Sequence, residues 1–206
     1  MINTLPSISS EPFEKHIQTS FDPAIAKYFG LNEAIVYRCV QFHCGFVRGR
    51  FYTLTVEDLV TNLPFFGKKQ IRLALQTLSL PSRKLPAILF RKPEHGGYSY
   101  APAADELNRT ALQHFDAGIA VEVGVVAAII LNRVRREWHA ADLYNPRAFS
   151  CLQQNLVRFC VKEFKYASEN TIRRAIKALE SAGLLRQRIM GKYRLWYACE
   201  ASPALN

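Results

Sequence analysis

An apolar stripe at helical spacing lies near the C-terminal end of the chain. It comprises Ile172, Ala175, Ile176 and Leu179. The opposite face is left with Asn170, Arg173, Arg174 and Lys177. Ser168 is a good N-cap residue and Gly183 can supply the left-handed residue that commonly ends a helix. The pattern predicts an amphipathic helix from about 169 to 182 with a basic outer face, which by itself is equally typical of a solvated surface helix.

Two segments rich in apolar and aromatic residues follow this helix. Residues 184–189 and 193–199 predict two strands, and Met190-Gly191-Lys192 predicts a tight turn between them. A basic helix that leads into a two-stranded hairpin is the ending of a winged-helix domain, in which the hairpin is the wing. From Ser168 to Arg194 there are seven Lys or Arg residues against two Glu. Phosphate is the partner that this imbalance favours.

The chain contains the pattern twice. FDPAIAKYFGLNEAIV from Phe21 aligns without a gap with FDAGIAVEVGVVAAII from Phe115. Downstream, FFGKKQIRLALQTL from Phe65 aligns with YASENTIRRAIKAL from Tyr166. The offset changes between the two blocks, so the second copy has a longer middle, around Arg136 to Phe164. Self-similarity of this kind predicts that one fold is used twice.

The predicted fold class is therefore mainly α with small β-hairpin wings, which is an α+β arrangement of two tandem winged-helix domains related by the internal repeat. Domain 1 would span residues 1–102 and domain 2 residues 103–206. The joining stretch, Pro102 to Ala104, is too short for independent tumbling.

The first copy is predicted to begin with a helix near Glu11–Gln18 and another that is capped by Asp22 and ended by Gly30. A helix at 31–47 is expected next, with Ala34, Ile35, Cys39 and Phe42 inward, and then a strand at 50–54. A helix at 56–63 would begin with a capping box of Thr55 and Asp58. It would be followed by a recognition-type helix at 68–80, which buries Ile71, Leu75 and Leu78, and by wing strands at 87–92 and 98–101. The second copy would have helices near 105–114, 116–123 and 125–139.

Composition supports a folded protein with an anionic partner. The 206 residues are 49% hydrophobic, the net charge is +10 and the pI is near 9.6. Nucleic acid or a membrane surface would satisfy that charge. No apolar run reaches the roughly 18 to 20 residues needed to cross a bilayer, and the N-terminus lacks a signal-peptide pattern. We therefore expect a cytoplasmic, nucleoid-associated protein without a membrane partner.

The five cysteines are odd in number and include no C-x-x-C pair. Neither a complete disulfide framework nor a zinc ribbon fits this pattern, so buried small hydrophobic residues are expected. Cys39, His43 and Cys44 are close in sequence, but a helix swings Cys44 away from Cys39. We expect no metal and no other cofactor.

The repeated pattern resembles the winged helix-turn-helix domains of phage and plasmid replication and regulatory proteins. The resemblance is carried by the helix start at Leu31–Ala34 and by TIRRAIKALESAGLL at Thr171–Leu185, and at fold level it covers nearly the whole chain. It implies a DNA-binding transcriptional regulator or replication initiator of a phage- or plasmid-like element. The first copy departs from the pattern, because Gly67 replaces the capping Ser and Leu80-Pro81 replaces Gly-Leu-Leu. Its recognition helix is expected to lack both cap and stop and to be less regular.

Two sets of side chains are expected to contact the DNA. Arg and Lys can donate to guanine and Asn or Gln can pair with adenine, so the candidate base readers are Arg72, Gln76, Asn170, Arg173, Arg174 and Lys177. The candidate phosphate contacts are Lys68, Lys69, Arg91, Lys92, Arg186, Arg188, Lys192 and Arg194. Leu73 interrupts the basic face of the first copy, so the second copy is expected to supply most of the sequence specificity.

Catalysis is not expected, because the chain lacks the phosphate-loop, nucleophile-elbow and H-E-x-x-H motifs. The expected function is sequence-specific binding of double-stranded DNA. The alternative is an adaptor that has kept the winged-helix scaffold and binds a protein. A second copy of the chain and a protein of replication or transcription are further candidate partners.

Overall fold

The structure, a computed structural model, describes residues 18–46, 48–82, 85–94, 97–103, 112–140, 156–190 and 193–199. These residues form a mixed α+β fold with eight helices and three small antiparallel sheets. The helices are α1 Pro23–Phe29, α2 Leu31–His43, α3 Val56–Asn62, α4 Lys68–Ser79, α5 Ala117–Val123, α6 Val125–Ala140, α7 Leu156–Glu163 and α8 Glu169–Ser181. The strands are β1 Gln18–Phe21, β2 Tyr52–Thr53, β3 Leu89–Glu94, β4 Gly97–Pro102, β5 Gln113–Asp116, β6 Leu185–Met190 and β7 Tyr193–Ala198. The predicted mixture of helices and small hairpins is confirmed.

Helices α1 and α5 begin and end in the same way. The carboxylate of Asp22 accepts a hydrogen bond from the N–H of Ala24 at 2.7 Å, and that of Asp116 accepts one from Ile119 at 3.0 Å. Each helix stops at a glycine with positive φ, Gly30 at 115° and Gly124 at 94°. A side chain is strained in that backbone region, so glycine is the residue that allows the next helix to begin at once.

The strands β1 and β5 lie where the sequence predicted the ends of two helices. The helices expected near 11–18 and 105–114 lie mostly outside the described residues, but Gln18 and residues 113–114 are strand, so these ends were wrong. β1 pairs antiparallel with β5, and Ser20 is opposite His114. The two strands are far apart in sequence, and a strand of four residues is too short for its apolar pattern to predict which distant segment it pairs with.

Aromatic rings join the two halves of the chain beneath this strand pair. Phe21 is 0% exposed and Phe115 is 1% exposed, and their ring centroids are 6.3 Å apart. Phe21 also meets Tyr166 edge-on at 5.4 Å, and Phe115 meets Phe65 at 5.5 Å. The hydroxyl of Tyr166 donates to the side-chain oxygen of Gln113. We call Phe21, Phe65, Phe115 and Tyr166 the aromatic junction.

Helix α2 ends at His43 rather than at Val47, which itself lies outside the described residues. Gly45 and Phe46 both have positive φ, and their N–H groups donate back to Phe42 and Gln41. The expected inward position of Phe42 was wrong, because its side chain is 69% exposed. The last turn packs on β4 through the opposite side, where Cys44 Sγ lies 3.4 Å from the carbonyl of Tyr100.

The short helix and the hairpin of the first half agree with their predicted positions. Thr55 caps α3, and Asp58 completes the capping box by accepting from the Thr55 N–H at 2.8 Å. β3 and β4 pair antiparallel, and β2 adds a third strand on the free edge of β4.

The second half has its own polar and aromatic supports. Arg133 on α6 bonds Glu163 at the end of α7, with Nε 2.8 Å from the carboxylate. The indole N–H of Trp138 donates to the carbonyl of Trp196 at 2.8 Å, which fastens α6 to β7. β6 and β7 form a two-stranded hairpin. The stretch between α6 and α7, residues 141–155, lies outside the described residues.

The aromatic junction should dominate stability. We expect Phe21→Ala to lower the free energy of unfolding by about 3 to 5 kcal/mol, since it removes a fully buried ring and leaves a cavity between the halves. Phe42→Ala is the matched control, because this ring is largely exposed and should cost far less. Chemical denaturation of both variants checks the expectation, and equal losses would contradict it.

Candidate nucleic-acid interface

Helix α8 is built as its sequence pattern predicts. The hydroxyl of Ser168 accepts from the N–H of Thr171 at 3.2 Å, and Gly183 has a φ of 70° just beyond the helix. The residues that face the core are all buried, and these are Ile172, Ala175, Ile176 and Leu179. The residues expected to face outward are all exposed, and these are Asn170, Arg173, Arg174 and Lys177.

Helix α4 is more regular than its sequence suggested. It is continuous over its full length and buries Ile71, Leu75 and Leu78 as predicted. Gly67 cannot offer a capping hydroxyl, but its N–H donates to Oε1 of Gln70 at 2.9 Å. Gly67 makes no side-chain cap hydrogen bond, as expected, but the start is not left wholly uncapped, because the reciprocal half of a capping box forms without the cap side chain. Lys68, Lys69, Arg72 and Gln76 are exposed.

The two outer faces differ at their centres. With about 3.6 residues per turn, Asn170, Arg174 and Lys177 lie opposite the buried stripe of α8, whereas Arg173 lies on its flank. The same positions of α4 carry Lys69, Leu73 and Gln76, and Arg72 lies on the flank. Leu73 is 53% exposed. The centre of α8 therefore offers only hydrogen-bonding side chains, and the centre of α4 includes an apolar one.

Ion pairs already hold two of the predicted contact residues on α4 and α8. Nε of Arg173 lies 2.9 Å from the carboxylate of Glu169, one turn earlier on α8. Nζ of Lys68 lies 2.7 Å from Glu57 on α3. More than half of each of these four side chains is exposed, so both pairs are weak in water. The Glu169–Arg173 pair could have been inferred from its i, i+4 spacing.

The hairpins bring further cations to the surface. Arg91 on β3 lies with its guanidinium 5.3 Å from the ring centre of Tyr98. Lys92 lies 3.6 Å from Glu94. Arg186 and Arg188 on β6 are exposed. Lys192 lies outside the described residues, and Arg194 is described only as a backbone position of β7, so both stay predictions.

A groove of about 450 Å³ lies between the two halves. It is bordered by Gln70 near the start of α4 and by Thr171 and Arg174 on α8. The first residues of α2 and α6 also line it, including Asn32 and Val126. The sequence did not predict this groove, because it depends on how the halves pack.

An aromatic ridge on the first half was also missed. It consists of Phe42, His43, Phe46 and Tyr52. Phe42 and Phe46 have ring centroids 6.2 Å apart, and the guanidinium of Arg38 lies 4.5 Å from the ring centre of Phe46. Tyr52 is 46% exposed. Its residues are spread over a helix end, a turn and a strand, so no single periodic pattern contains them.

Three of the described cysteines, Cys39, Cys44 and Cys160, pack with the hydrophobic core. Cys44 and Cys160 are buried, and burial raises the pKa of Cys39 and of Cys160 to about 12. The expectation of buried small hydrophobes is confirmed for Cys44 and Cys160, whereas Cys39 and Cys199 are half-buried and Cys151 lies outside the described residues. In the described part of the chain, no group of three or more His, Cys, Asp or Glu is placed to hold a metal ion.

Among the helices that the structure describes, none combines the length and apolar character needed to span a bilayer. No protein-family model matches this chain, and the curated proteins and the solved structures likewise show no match.

Glu169 should restrain Arg173 from binding DNA. We expect Glu169→Gln to tighten binding to random duplex DNA and to steepen the salt dependence, since the freed guanidinium can displace about one more counterion. Affinity measured at several salt concentrations gives the slope. Glu180→Gln removes the same charge elsewhere on α8 and is the control. Identical salt slopes for the two variants would show that the pair does not restrain Arg173.

Proposed function

We propose that this protein binds double-stranded DNA through two winged-helix units that use α4 and α8 as recognition helices. The observation that carries the proposal is a repeated local arrangement. In each half, a short helix, α3 or α7, precedes the recognition helix, and a hairpin follows it. Both recognition helices expose a basic face away from the core, which is the surface a helix needs to enter a major groove.

Electrostatics supports a phosphate-rich partner. The cations of each unit lie both on its recognition helix and on the hairpin behind it, as Lys69 with Arg91 in the first half and Lys177 with Arg186 in the second. A helix in the groove and a hairpin beside it would contact the sugar-phosphate backbone on two sides. Such contacts position the protein without reading sequence.

Base reading falls to the helix centres. Arg174 can donate to guanine O6 and N7, and Asn170 can pair with adenine. In the first unit Gln76 can pair with adenine, whereas Leu73 can make only apolar contact, such as with a thymine methyl group. The second unit therefore supplies most of the hydrogen-bonded discrimination. In a phage- or plasmid-like element, such a protein would serve as a transcriptional regulator or a replication initiator.

A protein-binding adaptor is the second candidate function. The aromatic ridge favours it, because Phe42 keeps most of its surface in water in this structure. Exposed aromatic residues are enriched where proteins meet. The ridge lies at the end of α2 rather than on a recognition helix, so a DNA-binding protein could also use it to hold a partner of replication or transcription.

Two double variants test the division of labour between the units. We expect Arg173→Ala with Arg174→Ala to erase roughly 30-fold or more of the preference for the specific site, because each bidentate base contact is worth about 1 to 3 kcal/mol. Lys69→Ala with Arg72→Ala should weaken specific and random duplex by similar factors. Both are measured on both DNAs at one fixed salt concentration.

The outcomes separate the candidate functions. A larger loss of specificity in the first-unit variant would reverse the assignment. If the unmodified chain does not retain duplex DNA at low salt, the adaptor takes the place of the DNA-binding proposal. Lys192→Ala adds a further check, since a phosphate contact should weaken all sequences about equally and flatten the salt slope by about one.

A further inference from the structure

The strand pair between the halves has an internal symmetry. The gapless repeat that aligns Phe21 with Phe115 also aligns Ser20 with His114 and Thr19 with Gln113. In the sheet, Ser20 is opposite its own counterpart, His114. Thr19 is opposite Phe115, and Phe21 is opposite Gln113. Replacing each residue of the first of these pairs by its counterpart gives the second pair. Two segments related by a twofold axis have this property, whereas two segments related by a translation do not.

The aromatic junction repeats this symmetry at a second place. Phe65 and Tyr166 are counterparts in the other aligned block. Phe21 contacts Tyr166 at 5.4 Å, and its counterpart Phe115 contacts Phe65 at 5.5 Å. Each strand therefore touches the turn that precedes the recognition helix of the other half. The symmetry extends from the strands to the starts of α4 and α8.

Counterparts from the two halves also line the groove together. Gln70 and Thr171 occupy the same repeat position, as do Asn32 and Val126, and all four line the groove. Gln70 and Thr171 lie in the first turns of α4 and α8, so both helices begin beside this one opening. Each helix is only about 18 to 20 Å long, which is less than the roughly 34 Å between successive major grooves on one face of duplex DNA.

From this symmetry we infer that one chain reads two half-sites in inverted orientation on one face of the duplex. The inference rests on the proposed function. Paired helices related by a twofold axis meet successive major grooves in opposite senses, as in symmetric helix-turn-helix dimers. Here a single chain provides both helices, so the complex contains one protein molecule for each pair of half-sites.

The natural half-sites differ in sequence despite their inverted geometry. The central positions of α4 carry Lys69, Leu73 and Gln76, whereas their counterparts on α8 are Asn170, Arg174 and Lys177. Only the flanking Arg72 has an identical counterpart, Arg173. The natural site is therefore not a palindrome, and its sequence alone does not show that the two half-sites are inverted.

A symmetric variant exposes the inversion. Lys69→Asn with Leu73→Arg and Gln76→Lys gives α4 the central side chains of α8, and all three positions are exposed, so the core is unaltered. Bound sites are then selected from random duplex DNA, with the unmodified chain as the matched control. We expect the variant to select a palindrome and the control to select a non-palindromic site. The variant should bind that palindrome at least about 30-fold more tightly than a direct repeat of the same motifs, since reversing one half-site removes about two base contacts.

The protein-to-DNA stoichiometry is measured on the selected site by analytical ultracentrifugation. One chain per palindrome supports the inference, and two chains overturn it, because a homodimer would then supply the symmetry. Selection of a direct repeat also overturns it but leaves the proposed function intact. The reverse variant, Asn170→Lys with Arg174→Leu and Lys177→Gln, is selected in parallel in case the first does not fold. No enriched motif with either variant overturns the inference, and failure of the unmodified chain to retain any duplex at low salt overturns the proposed function as well.

Discussion

The contact between Phe21 and Phe115 is the interaction on which the relative placement of everything else depends. Phe21 ends β1 and Phe115 is the third residue of β5, and each is followed directly by the aspartate that caps the next helix. Burial of the two rings fixes where α1 and α5 begin, and the glycines that end those helices fix the direction of α2 and α6. Through Tyr166 and Phe65, the same rings set the turns from which α8 and α4 start. Burial of aromatic side chains is well suited to this role, because each ring buries a large apolar area and loses little rotamer entropy.

Local structure was largely predictable from the sequence because its signals are local. The Ser168 cap, the Asp22 cap and the capping box of Thr55 with Asp58 each involve residues within one helical turn. Leu31–His43 was the exception at its far end, where the backbone reverses through Gly45 and Phe46. A non-glycine residue with positive φ has no reliable signature in a single sequence, so the premature end of that helix could not be read from its apolar pattern.

Contacts between the halves were not predictable, although the repeat that produces them was plain. A sequence repeat predicts that two segments share a fold, but it leaves open how they are rotated against each other. That rotation depends on the burial of a few side chains, here Phe21, Phe115 and their aromatic neighbours. The exposure of the candidate contact residues was predictable, since exposure follows from helical periodicity. The ion pair of Lys68 was not, because Glu57 lies on another helix.

Under the proposed function, the difference between Leu73 and Arg174 has a consequence for how the DNA target can change. In a homodimer, one gene encodes both recognition helices, so every substitution in that helix alters the recognition of both half-sites together. When the two recognition helices lie in one polypeptide, a single codon change at position 73 or 174 alters the recognition of one half-site and leaves that of the other unchanged. In the proposed arrangement the two halves of the DNA site are therefore uncoupled, and each can drift or be selected separately.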